Sequence, residues 1–75
     1  MTIDEFKKNI APFMRKGWVA MDKDGRWWWY RYKPIRYYSG EAWRANKNSN
    51  YTYLSYAFNI EPVKGWTKSL VEVGK

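Results

Sequence analysis

The feature that most constrains the fold is the segment 17–33, in which two strand-like runs flank the dipeptide Asp24-Gly25. Glycine accepts the positive φ that a short turn between antiparallel strands requires, so Asp-Gly is a strong hairpin signal. Both runs contain residues that favour strands, mainly Trp, Tyr and Val. Pro34 cannot donate a backbone hydrogen bond to a sheet, so it predicts either the end of the second strand or the edge of the sheet. The sequence therefore predicts a hairpin over about residues 17–33.

The second predicted strand divides into two faces, because successive side chains of a strand point to opposite sides. One face carries Trp28, Tyr30 and Tyr32. The other face carries Trp27, Trp29, Arg31 and Lys33. Because this second face mixes aromatic with basic side chains, we assign it to the solvent side and the first face to the core.

A helix is predicted before the hairpin. Thr2 and Glu5 have the spacing of a capping box, in which each side chain bonds to the backbone N–H of the other residue. Pro12 limits the helix, because it lacks an N–H. We therefore expect a helix over about residues 3–10, with Phe13 and Met14 continuing the apolar contact beyond a break or kink. The apolar face of this helix consists of Ile3, Phe6 and Ile10.

The second half of the chain has weaker signals. Alternating apolar residues predict a strand over about 51–60, and Pro62 ends it. The spacing of Trp66, Leu70 and Val73 predicts a short helix over about 65–72. Between these elements and the hairpin we expect short strands near 37–38 and 42–45, then a polar loop over 46–50.

These elements predict one small domain, 1–75, of the α+β class. Its expected architecture is an antiparallel three- to four-stranded sheet with an N-terminal helix and a short C-terminal helix. Three Phe, seven Tyr and six Trp exceed what the core of so short a chain can hide. Some rings must therefore lie at the surface, where they form a binding surface or cover the rim of the core.

The chain is strongly basic, with 14 Lys and Arg against seven Asp and Glu and a net charge of +7. The excess concentrates between residues 23 and 47. A basic stripe raises association rates with acidic partners, which are nucleic acid, an anionic membrane or an acidic protein face. The alternative is that the charge only keeps an aromatic-rich protein soluble.

Several classes of chemistry lack their usual residues. The chain has no His and no Cys, which removes the common general base, the reactive thiol and the main transition-metal ligands. Asp22-Lys23-Asp24-Gly25 resembles the start of a calcium loop, but Lys33 stands where such a loop requires Glu. We expect no catalytic residues, no metal and no cofactor. Neither a signal peptide nor a membrane-spanning run is recognisable, so we expect a protein that is not secreted and does not bind a membrane.

Residues 26–33 are the most unusual segment, because rings alternate there with Arg and Lys. Surfaces for single-stranded nucleic acid use this combination, with bases stacking on rings and cations following the phosphates. Trp, Tyr and Arg also dominate protein–protein hot spots. The same residues equally serve as ordinary strand and core residues. The candidate binding residues are Arg26, Trp27, Trp29, Arg31, Lys33, Arg36, Tyr37 and Arg44.

A set of short motifs spans residues 17–70. They are Gly17-Trp18-Val19-Ala20-Met21-Asp22, Asp24-Gly25, Lys33-Pro34, Ile60-Glu61-Pro62-Val63, Gly65-Trp66 and Ser69-Leu70. The pattern resembles small accessory proteins encoded by bacteriophages and prophages, in which a Trp-x-Ala-x-Asp strand turns at Asp-Gly, passes a Lys-Pro and ends on a tryptophan followed by Ser-Leu. The resemblance implies a phage-type gene acting in the cytoplasm of a bacterial cell, and it implies no particular activity.

In that setting, we expect a non-enzymatic accessory protein that binds a host protein or nucleoprotein with an acidic surface. Such a protein would act in host takeover, as an inhibitor or in anti-defence, with Trp27 and Trp29 as the anchors of its surface. One alternative is direct binding of single-stranded DNA or RNA by the same face. The other is a structural or virion-associated domain whose rings pack in a homo-oligomer. The sequence leaves the oligomeric state open.

Overall fold

The computed structural model describes residues 1–46 and 50–74. It has one α-helix, α1 (Ile3–Asn9), and the strands β1 (Gly17–Met21), β2 (Trp27–Tyr30), β3 (Ile35–Tyr37), β4 (Ala42–Arg44), β5 (Tyr51–Tyr53) and β6 (Val71–Val73). Short 3-10 helices span Ala11–Phe13, Tyr38–Gly40 and Trp66–Lys68. The strands form a four-stranded antiparallel sheet in the order β5-β2-β1-β6 and a separate antiparallel pair, β3-β4. The predicted α+β class is confirmed. Most of the predicted loop over 46–50 lies outside the described residues.

The predicted N-terminal helix is present, and its capping box is complete. The Thr2 hydroxyl accepts the Glu5 N–H at 3.1 Å, and the Glu5 carboxylate accepts the Thr2 N–H at 2.8 Å. The helix ends before Pro12, which lies inside the following 3-10 turn. Phe6, the buried residue of α1, then packs into the core of the sheet.

The predicted hairpin is present as β1 and β2. Its turn is closed by hydrogen bonds from the Asp22 N–H to the Arg26 carbonyl and from the Gly25 N–H to the Asp22 carbonyl, both 2.9 Å. Gly25 has φ 89°, the conformation for which glycine is favoured. β2 ends at Tyr30 rather than near residue 33, because the chain bends there toward Pro34, which is buried.

The main core covers the sheet face that carries Trp27 and Trp29. Trp27 is completely buried and Trp29 is 6% exposed. The assignment of these two rings to the solvent side is therefore wrong. The reason is that α1 and the segment after β5 fold over this face and bury it. The core on this side consists of Phe6, Ala11, Val19, Met21, Trp27, Trp29, Leu54, Ile60 and Val73.

The opposite face of the sheet has a smaller core. Ala20 and Tyr30 are buried there against Trp43 of β4. The Trp43 indole donates to the carbonyl oxygens of Met21 and Trp66, at 3.1 and 3.2 Å. These bonds hold the β3-β4 pair over one part of the face. Trp28 is only half-buried, so another part of this face stays open.

The predicted strand over 51–60 is real only in its first three residues. Ser55 ends the ladder, because its hydroxyl accepts the Trp27 N–H at 2.9 Å in the place of a strand carbonyl. The chain then turns, with the N–H groups of Ala57 and Phe58 both donating to the Leu54 carbonyl. Leu54 and Ile60 still reach the core, whereas the turn leaves Tyr56 exposed.

The predicted helix over 65–72 is a single 3-10 turn, Trp66–Lys68, followed by strand β6. Ser69 separates the two elements. Its buried hydroxyl accepts the Met21 N–H at 2.8 Å and donates to the Trp66 carbonyl at 2.6 Å. Beyond Ser69, β6 pairs with β1, and the β-branched residues Val71 and Val73 suit that pairing.

Truncating Trp27 tests the assignment of the sheet faces. Trp27→Ala is expected to lower the free energy of unfolding by about 3–5 kcal/mol, the usual cost of removing a buried tryptophan. That loss is a large share of the stability of so small a domain. Trp28→Ala, the matched control, removes a half-buried ring and is expected to cost less. Urea denaturation followed by circular dichroism measures both, and a larger loss for Trp28→Ala would contradict the assignment.

Candidate binding surface

An open groove lies at the end of the β1-β2 hairpin that is remote from its turn. It has a volume of about 790 Å³. Four cations and a single carboxylate line it, so its field is positive. We call this site the basic groove, and its lining residues are Pro12, Phe13, Met14, Arg15, Lys16, Gly17, Trp18, Arg31, Tyr32, Lys33 and Glu72.

Three of the four cations of the basic groove lie over aromatic rings. Arg15 lies 5.8 Å from the ring centroid of Trp29, Arg31 lies 5.6 Å from that of Tyr32, and Lys33 lies 5.4 Å from that of Trp18. Contacts of this kind stabilise the position of a cation by about 0.5–1 kcal/mol at exposed sites. Over the described ranges 1–46 and 50–74, none of these cations forms a salt bridge. Their charges are therefore available to an anionic partner.

Two exposed rings accompany these charges. Phe13 is 85% exposed and Tyr32 is 54% exposed. Both were predicted to lie on the core side, and both predictions are wrong. The 3-10 turn that contains Pro12 carries Phe13 away from the core, and the end of β2 at Tyr30 breaks the alternation that would have buried Tyr32. The basic groove therefore combines exposed aromatic surface with unpaired positive charge.

The β3-β4 pair extends this surface. Arg36 lies 5.8 Å from the ring centroid of Tyr38, and Arg44 lies 5.3 Å from that of Tyr37. A second open cavity, about 600 Å³ in volume, lies beside the pair. Its cations are Lys33, Arg36 and Lys68. Because Lys33 lines both this cavity and the basic groove, the positive surface is continuous between them.

The eight residues predicted from the sequence thus fall into separate places. Arg31 and Lys33 line the basic groove, and Trp27 and Trp29 lie in the core. The β3-β4 pair carries Arg36, Tyr37 and Arg44. Arg26 lies apart from the others, at the hairpin turn, where its side chain is 3.8 Å from the Asp24 carboxylate.

Sequence reasoning missed Phe13, Arg15, Lys16 and Trp18. The signal was present, because Phe13 to Trp18 also mixes rings with adjacent basic residues. This mixed segment is not recognisable from the sequence as part of the surface, because residues 13–16 join two predicted elements and Trp18 lies on the first strand of the hairpin, apart from residues 26–33. The fold brings it beside Arg31 and Lys33, since β1 begins where β2 ends.

A separate pocket, about 380 Å³ in volume, opens on the second face of the sheet. Four of its residues are aromatic, and the Trp28 and Tyr51 ring centroids are 5.9 Å apart. Burial raises the pKa of the Asp22 carboxyl, whose Oδ1 accepts the Trp43 N–H at 2.8 Å. We call this site the aromatic pocket, and it is lined by Asp22, Trp28, Tyr30, Trp43, Arg44, Ala45 and Tyr51.

The fold and these sites define a small α+β domain with a basic, aromatic surface. In the described part of the chain, no three Asp and Glu side chains group as metal ligands would. No helix in that part is long and apolar enough to cross a membrane. No protein-family model matches the chain, and no match was found among the curated proteins or the solved structures. The resemblance to phage accessory proteins therefore stays a prediction.

Replacing Asp22 with Asn tests the electrostatics of the aromatic pocket. Asn keeps an oxygen for the Trp43 N–H and removes a charge that burial disfavours, so Asp22→Asn is expected to raise the free energy of unfolding at neutral pH. Below the ordinary pKa of 3.8, Asp22 is protonated in both the folded and the unfolded protein, and the difference disappears. As the pH rises above that value, the unfolded chain releases its proton first, and the unmodified protein loses stability relative to the variant.

Glu5→Gln is the control with the opposite sign. The Thr2 N–H lowers the pKa of the Glu5 carboxyl, so ionisation of Glu5 favours the folded protein. The unmodified protein should therefore gain stability over Glu5→Gln as the pH rises. Urea denaturation of all three proteins between about pH 3 and pH 7 gives the comparison. If the stability of the unmodified protein relative to each variant changed in the same direction as the pH rises, the account would be contradicted.

Proposed function

We propose that this protein is a non-enzymatic module that binds single-stranded nucleic acid along the basic groove. The observation that carries the proposal is the arrangement of four cations without salt bridges in the described chain, three of them over rings, beside the exposed Phe13 and Tyr32. Proteins that bind single strands combine a positive path for the phosphates with rings on which unpaired bases stack.

The location of the exposed rings favours single strands over a duplex. Phe13 and Tyr32 stand at the groove itself, where they can stack only on bases that are not already paired and stacked. The buried positions of Trp27 and Trp29 weigh against the predicted use of those two rings as anchors for a host protein. The phage-type accessory role predicted from the sequence is compatible with binding a nucleic acid or a nucleoprotein in a host cell.

A host protein with an acidic surface is the second candidate partner. The observation in its favour is Phe13, whose apolar ring is almost fully exposed beside the cations. Such a ring would insert into a pocket of the partner and act as a hot spot, and Arg15 and Arg31 would steer the encounter. In a phage-type setting, this binding would serve inhibition of a host machine. The two candidates differ in how their affinities depend on salt.

The salt dependence of binding tests the charges of the groove. For fluorescence anisotropy with labelled oligothymidylate, we expect log K to fall linearly with log salt, by about 0.7 for each phosphate that a cation neutralises. Arg31→Gln and Lys33→Gln should each reduce the slope by about 0.7. Arg26→Gln is the matched control, since Arg26 lies at the remote turn, and it should leave the slope unchanged. Equal slopes for all four proteins would exclude the groove as the phosphate path.

The contribution of stacking is tested at Tyr32. Tyr32→Ala is expected to weaken the binding of oligothymidylate by about 1–3 kcal/mol, because one base loses its ring partner. Tyr56→Ala is the control, since Tyr56 is an exposed tyrosine outside the groove and should bind as the unmodified protein does. Tighter binding to a duplex of the same length than to the single strand would contradict the proposal. Absence of binding to either would favour the acidic protein partner.

A further inference from the structure

The aromatic pocket shares no lining residue with the basic groove, and it combines four aromatic rings with a carboxylate. We propose that it binds a guanine base of the nucleic-acid strand, with the Asp22 carboxylate reading the edge of the base. This inference rests on the proposed function and adds a base preference to it. The groove supplies phosphate contacts, which carry no sequence information, whereas contacts to base edges specify sequence.

The walls of the pocket suit a flat ring. Trp28, Tyr30 and Tyr51 lie on one face of the sheet, because Trp28 pairs with Tyr53 across the strands and Tyr30 pairs with Tyr51. The Trp28 ring centroid is 4.9 Å from that of Tyr53, its partner across the strands, so the two rings pack against each other. The volume of about 380 Å³ lies at the lower end of the range for small-molecule sites.

Asp22 decides which base fits. An ionised carboxylate only accepts hydrogen bonds, and it has about four lone-pair sites. Within the described residues, the Asp22 carboxylate accepts one hydrogen bond, from the Trp43 N–H, and it forms no salt bridge. The carboxylate therefore favours a base edge with two adjacent donors. Guanine presents such an edge with its N1–H and 2-amino group, whereas thymine and uracil place carbonyl oxygens beside their single N–H and would be repelled.

Arg44 decides between a nucleotide and a cation. Rings around a carboxylate also attract ammonium ligands, which bind over aromatic faces. In this pocket, however, Arg44 lies in the lining, with its guanidinium 5.3 Å from the Tyr37 ring centroid. Its positive charge repels an ammonium group and attracts the phosphate of a nucleotide. The net charge of +7 acts in the same direction.

The pocket and the groove lie close enough to serve one strand of nucleic acid. Tyr30 lines the pocket and the next residue, Arg31, lines the groove. Trp18, also in the groove, pairs with Tyr30 across β1 and β2. A strand whose phosphates follow Arg31 and Lys33 can therefore place a base in the pocket.

Binding of oligothymidylate and of the same oligomer with a central run of guanines tests this inference. The guanine oligomer is expected to bind about 5- to 150-fold more tightly, which corresponds to 1–3 kcal/mol for a bidentate base contact. An oligomer with hypoxanthine in place of guanine lacks the 2-amino donor and should have an intermediate affinity. In Asp22→Asn, the ratio of guanine to thymine affinity should fall to about one, while circular dichroism shows the fold retained.

Glu61→Gln is the matched control, because Glu61 is an exposed carboxylate outside the pocket, and it should keep the ratio. Equal affinities for the thymine and guanine oligomers would overturn the guanine site and leave the proposed function standing. Preference for guanine that survives Asp22→Asn would also overturn it. Failure of every oligomer to bind would overturn the proposed function, and the guanine site with it.

Discussion

The burial of Trp27 and Trp29 on one face of β2 is the constraint on which the other features of this structure depend. Phe6 and the segment from Leu54 to Ile60 close over these rings and fix the orientation of the strand. Since side chains alternate along a strand, Trp28 and Tyr30 must then point to the opposite face. The chain that leaves β2 carries Arg31, Tyr32 and Lys33 beside the start of β1, where the basic groove forms. A core contact thus determines the position of a polar surface.

The second face of the sheet shows how a small domain can leave a pocket open. Trp43 covers only part of this face, and its indole N–H bonds to Met21 and Trp66 hold it there. The Ser69 hydroxyl accepts the Met21 N–H and thereby joins the C-terminal segment to the end of β1. The uncovered part keeps Trp28 and Tyr51 accessible beside Asp22, where burial opposes the charge of a carboxylate whose hydrogen-bonding capacity is only partly used. The ionised Asp22 carboxylate therefore lowers the stability of the fold, although the proposed guanine site requires it.

The accuracy of sequence-based prediction here follows the range of the interactions involved. The capping box of α1 and the Asp-Gly turn involve neighbours within a few residues, and both were predictable. The faces of β2 were not, because both sides of the strand are aromatic and the basic residues that indicated a solvent side, Arg31 and Lys33, lie beyond its end at Tyr30. β6 was mistaken for a helix, because it is defined by pairing with β1, more than 50 residues earlier. In the candidate site, Arg31 and Lys33 were predicted from their own segment, whereas Phe13 and Arg15 join them only through the fold.

The most direct test of the central claim is an NMR titration of the ¹⁵N-labelled protein with oligothymidylate, because it locates the contact on the molecule. If the basic groove binds the strand, the largest shift changes will fall on the backbone amides of residues 13–18 and 31–33 and on the indole N–H of Trp18. The amides of the hairpin turn, residues 22–26, and the indole of the buried Trp27 should change little. Changes centred on the turn, or spread evenly over the surface at physiological salt, would contradict the account.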